Sequence, residues 1–116
     1  MDGARPIQWL GSADAATEAA LKTCSLACKA VVAHYLSEEE AGQSEFGRCL
    51  LRAAAAIDAA AAALHADPDE RSATFTIAAP ICRAAMAQCR QAGFEPLVLK
   101  AAAACERAAT ICEGRL

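Results

Sequence analysis

The stretch Ala101–Cys112, AAAACERAATIC, decides the reading of this chain. Cys105 and Cys112 are seven residues apart, close to two turns of an α-helix, so both thiols lie on one face, about 10.5 Å apart along the axis. Ala101, Ala102, Ala108 and Ala109 fill the same side. The device recurs: Cys82 and Cys89 are also seven apart, and Cys24 and Cys28 are four apart. Six of the seven cysteines therefore sit in same-face helical pairs, which points to a core built for sulfur chemistry.

Composition narrows the class. A chain of 116 residues makes one domain. Its apolar fraction of 56% comes mostly from Ala, with one Trp, one Tyr and three Phe. Each Ala buries little area, so the hydrophobic gain per residue is small at roughly 25 cal/mol per Å². Ala is also the best helix former and loses no side-chain entropy. An all-α fold follows, with helices approaching closely over small residues. The net charge of −3 and the lack of a Lys/Arg stripe argue against nucleic acid. The start MDGARPIQWL has neither the basic opening nor the apolar run of a secretion signal, and no uncharged apolar stretch reaches the roughly 20 residues of a membrane span. The chain reads as soluble and cytoplasmic. Thiols stay reduced in that compartment, so an odd number of cysteines points to metal or redox chemistry rather than a disulfide frame.

Gly3, Pro6 and Gly11 discourage helix over residues 1–12, which read as an extended N-terminal arm with Trp9 and Leu10 packed back on the body. Residues 13–116 read as the bundle. A first helix is expected over Ala13–Leu36, with Leu21, Cys24, Cys28, Val31 and Tyr35 facing inward in steps of three and four. Ser37 and Glu40 have capping-box spacing and open a short turn. A second helix runs over Ser44–His65, with Cys49, Ala53, Ala56, Ala60 and Ala63 inward and an outer heptad row of Leu50, Ile57 and Leu64. Asp67–Pro68 reads as a stop and 67–71 as a charged loop, with Ser72 capping a third helix over Ala73–Ala92 that Pro80 bends or restarts. Its stripe is Cys82, Ala85 or Met86, Cys89 and Ala92, and Gly93 ends it. A fourth helix starts at Glu95 or Pro96 and ends at Glu113, with Val98, Ala101, Cys105, Ala108 and Cys112 inward.

Four helices with short links make an antiparallel up-down-up-down four-helix bundle. Pairing the stripes in that order gives layers. Leu21, Ala63, Cys82 and Cys112 share the bottom one, then Cys24, Ala60, Ala85 and Ala108, then Cys28, Ala56, Cys89 and Cys105. Six thiols become contiguous in one half, while Cys49 stands apart at the other end.

Thiolates are soft donors that favour Cu(I), Zn(II) and Fe–S clusters. Zinc usually takes four ligands from short knuckles on turns, and iron–sulfur sites draw several cysteines from one loop. Cys24-x₃-Cys28 lies mid-helix with no second knuckle. Cu(I) accepts two or three sulfurs, which helical pairs and a cross-helix trio such as Cys28, Cys89 and Cys105 supply. Met86, one turn from Cys82, reads as core filler, His34 as a surface group, and His65 as a neighbour of Cys82 and Cys112 at the bundle end.

The stretches CLLRAAAAIDAA (Cys49–Ala60), CRAAMAQC (Cys82–Cys89), CERAATIC (Cys105–Cys112) and LKTCSLACKAVVAHYL (Leu21–Leu36) resemble the cysteine-rich four-helix-bundle copper-binding proteins, the bacterial copper storage proteins among them. The family pattern runs roughly CIxLxxDCADIC in the second helix and CxxCAxxC in the third and fourth. Asp58 matches an Asp of that pattern. The resemblance covers Leu21 to Cys112 and implies a bundle whose core thiolates hold Cu(I). Ala56, Ala60, Ala85 and Ala108 stand where the pattern has Cys, and Leu21, Val31 and Val98 take other thiol positions. This is a cysteine-depleted version, which implies a small cluster rather than a large store.

The sequence thus predicts a Cu(I)-binding protein with metal ligands Cys24, Cys28, Cys82, Cys89, Cys105 and Cys112. Two alternatives stand beside it: a thiol-depleted structural or interaction bundle without metal, and a bundle holding another thiolate-bound redox cofactor. No catalytic grouping, phosphate loop or Glu-x-x-His pair is present, so no enzyme is predicted. The expected partners are copper ions, with no nucleic acid and no membrane. The outer Leu50/Ile57/Leu64 row invites a homo-oligomer.

Overall fold

The computed structural model describes the backbone of residues 4–114 and the side chains of residues 14–114. Among the described residues the chain forms five helices and no strand: α1 (Ala4–Tyr35), α2 (Glu38–Gln43), α3 (Glu45–Ala63), α4 (Pro68–Ala92) and α5 (Pro96–Gly114). The four long helices close a ring in which α1 packs on α3 and α5, and α4 packs on the same two. Cross-helix ion pairs fix directions. Glu18 meets His65 at 2.9 Å and Lys29 meets Asp58 at 3.1 Å; Arg83 meets Glu113 at 2.7 Å and Arg90 meets Glu106 at 2.6 Å. In each set one number rises as its partner falls, so α1 runs opposite to α3, and α4 opposite to α5.

Helix ends follow local chemistry. The Ser37 hydroxyl accepts from the Glu40 amide at 3.1 Å, and the Ser37 amide donates to Glu40 Oε1 at 3.0 Å, the capping box expected for α2. Ser44 caps α3 by accepting from the Gly47 amide at 2.9 Å. Gly47 is required by close approach: a Cβ there would come within 2.7 Å of the Ala41 carbonyl oxygen, so α2 rests directly on the first turn of α3. Gly93 ends α4 at φ 138°, a conformation that favours Gly.

Three expectations need correction. First, Asp67–Pro68 begins a helix rather than ending one. Asp67 Oδ1 accepts from the Glu70 amide at 3.0 Å, Pro68 takes the first turn, and Asp69 and Glu70 complement the helix dipole. Residues 68–72 are therefore helix, not loop. Pro80 does not break α4. It sits on the exposed face, where water can take up the Thr76 carbonyl that loses its partner. Second, α1 starts at Ala4, inside the segment read from sequence as an arm. Pro6 falls in the first turn, where its missing N–H forfeits no helical bond, and one Gly costs only about 1 kcal/mol. The side chains of Trp9 and Leu10 lie outside the described residues. Third, Leu50, Ile57 and Leu64 are buried, not outward. Helix α3 is turned so that its larger side chains, which gain most from burial, face the core, while Cys49 and Ala56 move to its flank and are half-buried. Ala92 and Tyr35, placed in stripes by the sequence, are exposed.

The core is otherwise small residues and sulfur. Phe75 is its largest fully buried side chain, with Leu21, Val31, Leu50 and Ile57 around the alanines. Among the described residues Ser25 is the one buried polar side chain, and no Lys or Arg belongs to the buried core. No helix of the described residues is long and apolar enough to cross a membrane.

Candidate metal centre

Cys24, Cys28, Cys82, Cys89, Cys105 and Cys112 are all 0% exposed. Periodicity explains this: each lies on the inner stripe of its helix, between Leu21 and Val31 on α1, beside Ala85 on α4, and beside Ala101, Ala108 and Ala109 on α5. All seven cysteines are free thiols.

Three of them converge. The sulfurs of Cys24, Cys28 and Cys105 lie within 4.8 Å of one another. Cys24 donates to the Cys105 sulfur at 3.7 Å, and the Cys28 and Cys105 sulfurs are 3.5 Å apart. Cys105 therefore stands level with the gap between Cys24 and Cys28, not beside Cys28 alone. That half-turn offset puts Cys24 in the trio where the sequence suggested Cys89. Three sulfurs about 2.3 Å from one centre in a plane would be about 4 Å apart, so a soft ion fits here with small side-chain shifts.

The other thiols extend this group. Cys82 acts on Cys24 as a hydrogen-bond neighbour. Cys89, pushed up to about 12 chiefly by burial, also feels negative charge at Cys28 and Cys49. The Cys49 thiol is raised by burial first and then by Cys28, with Arg52 opposing. Cys49 lies outside the trio, half-buried on the flank of α3. The bulk of the heptad row Leu50/Ile57/Leu64 is the signal in the sequence for that rotation of α3. Cys112 is buried at the end of the α5 stripe and is not part of the trio.

Within the trio the thiols are inequivalent. Hydrogen bonds from Cys105 and then Cys24 pull the Cys28 thiol well below its ordinary value, against burial. Cys105 is raised first by its hydrogen bond with Cys24, then by that with Cys28, and burial adds to it. At Cys24 the Cys105 bond lowers the thiol, but Cys28, Cys82 and burial together raise it. The three thiols titrate as a group, with Cys28 the member whose hydrogen bonds favour the thiolate.

A family model described as copper storage protein matches residues 12–116. The chain belongs to the copper storage protein family. Comparison with curated proteins and with solved structures gives no match. Membership of the copper storage protein family, together with a buried three-thiol group, makes copper the metal to which this centre is suited. The polar residues singled out in the sequence lie elsewhere. His65 is exposed and bonds Glu18 at 2.9 Å instead of facing the thiols. His34 is exposed with its ring edge-on to Tyr35. Asp58 is paired with Lys29 on the outside of the α1–α3 seam. Met86 is partly buried against the core.

Proposed function

We propose that this chain is a cytoplasmic Cu(I)-binding protein that holds a small number of copper ions through core thiolates, for buffering, storage or sequestration. The observation that carries the reading is the trio Cys24, Cys28 and Cys105, three sulfurs from two helices within 4.8 Å. The proposed ligands are these three with Cys82, Cys89 and Cys112. No reaction is assigned to the chain; the metal is cargo.

Charge decides how copper would load. One Cu(I) on three thiolates leaves two negative charges in a core where no described Lys or Arg is buried, which is costly. Ions that share bridging sulfurs, one copper per thiolate, leave a neutral cluster. Loading therefore proceeds as a cluster over neighbouring thiols rather than as isolated sites. Soft thiolates favour the monovalent ion.

The test is an anaerobic Cu(I) titration of the reduced protein against a competing chelator. Several tight equivalents support the proposal. No uptake removes it and leaves a metal-free structural bundle, and visible absorption of the protein as purified points to another thiolate-held cofactor.

A further inference from the structure

The same balance of charge that disfavours a single Cu(I) in the trio favours an ion of higher valence. Three thiolates cancel the charge of a trivalent centre, so that complex enters an alanine-lined core without leaving net charge behind. The surroundings agree: Ala101, Ala108, Ala109, Leu21 and Val31 are buried around the trio's stripes, and among the described residues no lysine or arginine is buried with them. Shape agrees. Two sulfur separations are 3.5 and 3.7 Å and the third is no more than 4.8 Å. Sulfurs about 2.3 Å from a central ion stand about 4 Å apart in a plane and closer together when the ion rises out of it. The two shorter separations match a three-coordinate pyramid, the geometry of an ion with a lone pair in the fourth position.

We propose that Cys24, Cys28 and Cys105 form a binding site for a trivalent thiophilic metalloid, arsenic(III) being the representative. The site takes one ion per chain. The donor is neutral arsenous acid, As(OH)₃. Each As–O bond is exchanged for an As–S bond, and each thiol proton leaves with a hydroxyl as water, three waters in all. Arsenic stays trivalent and no electrons move. Arsenous acid and the finished complex are uncharged; where the Cys28 thiol has already given up its proton, the third hydroxyl leaves as hydroxide and takes that proton back from solvent as water. This site rests on the geometry of the trio and not on the copper reading.

The experiment adds sodium arsenite to the reduced full-length protein under anaerobic conditions. Native mass spectrometry reads stoichiometry, and X-ray absorption at the arsenic edge reads the neighbours. The expected result is one arsenic per chain with three sulfur neighbours and no oxygen. Cys105→Ser is expected to lose this complex and Cys112→Ser to keep it, with far-UV circular dichroism confirming that both remain helical. If Cys105→Ser does not fold, the wild-type sulfur count still decides. Two sulfurs with a retained oxygen, no arsenic bound, or undiminished binding by folded Cys105→Ser would overturn the proposal. A Cu(I) titration of the same samples keeps the two readings separate, since copper uptake without arsenic uptake sinks only this one.

Discussion

The Cys28 sulfur of α1 lies 3.5 Å from the Cys105 sulfur of α5. These residues are far apart in the chain, so the contact exists only because the α1–α5 seam closes the bundle. Sulfur at that separation is within reach of one shared ion, and the buried alanines around it provide no competing donor.

Replacing Cys105 by Ala should remove the centre while sparing the fold. The lost sulfur costs about 1–2 kcal/mol of stability as a small buried group. Cu(I) competition titrations should show fewer and weaker equivalents for Cys105→Ala than for Cys112→Ala, which leaves the trio whole. Equal uptake by both variants would show that the trio does not hold the copper.

Alkali should destabilise the metal-free protein. Cys89 is pushed up to about 12, by burial first and then by Cys28 and Cys49, from an ordinary value of 9.0. Above pH 9 the unfolded chain loses this proton while the folded one keeps it, so the unfolded state binds fewer protons and stability falls as pH rises toward 12. Cys24 and Cys105, also raised, act in the same direction, while lowered Cys28 has completed its contribution below pH 9. The slope is about 1.4 kcal/mol per pH unit for each such thiol. Thermal melts from pH 8 to 11 should show a falling midpoint, with a shallower fall for Cys89→Ala. A flat profile in the wild type would contradict the burial of neutral thiols.

Much of this was legible in the sequence because periodicity fixes which face of a helix is buried. The stripes through Cys24 and Cys28, Cys82 and Cys89, and Cys105 and Cys112 are all inside, as their three- and four-residue steps require. Periodicity does not fix axial offset. A half-turn shift of α5 against α1 changes no residue's face, yet it brings Cys24 as well as Cys28 to Cys105. Nor does it rank two adjacent rows on one helix. On α3 the bulk of Leu50, Ile57 and Leu64 decided the rotation and carried Cys49 to the flank. Asp67–Pro68 is ambiguous for a different reason: a Pro that cannot continue one helix is well suited to begin the next.

Asp67→Ala should lower stability by about 1 kcal/mol, because the Glu70 amide loses its acceptor. Ser72→Ala should have little effect, since Ser72 lies within α4 and not at its start. Urea unfolding of the two variants separates them, and a larger loss for Ser72→Ala would contradict the observed start of the helix.

Gly47→Ala opposes two effects. Ala favours helix over Gly by about 1 kcal/mol, whereas a Cβ within 2.7 Å of the Ala41 backbone forces α2 away at about 1–3 kcal/mol. The clash should prevail, and amide exchange over residues 38–43 should accelerate. Unchanged protection there would show that α2 does not depend on this contact.

Anomalous scattering at the copper edge, from crystals of the reduced protein loaded with Cu(I), tests the central claim most directly. Copper peaks bonded to the sulfurs of Cys24, Cys28 and Cys105 are the predicted result. Copper confined to surface groups, with those three sulfurs carrying no metal, would contradict it.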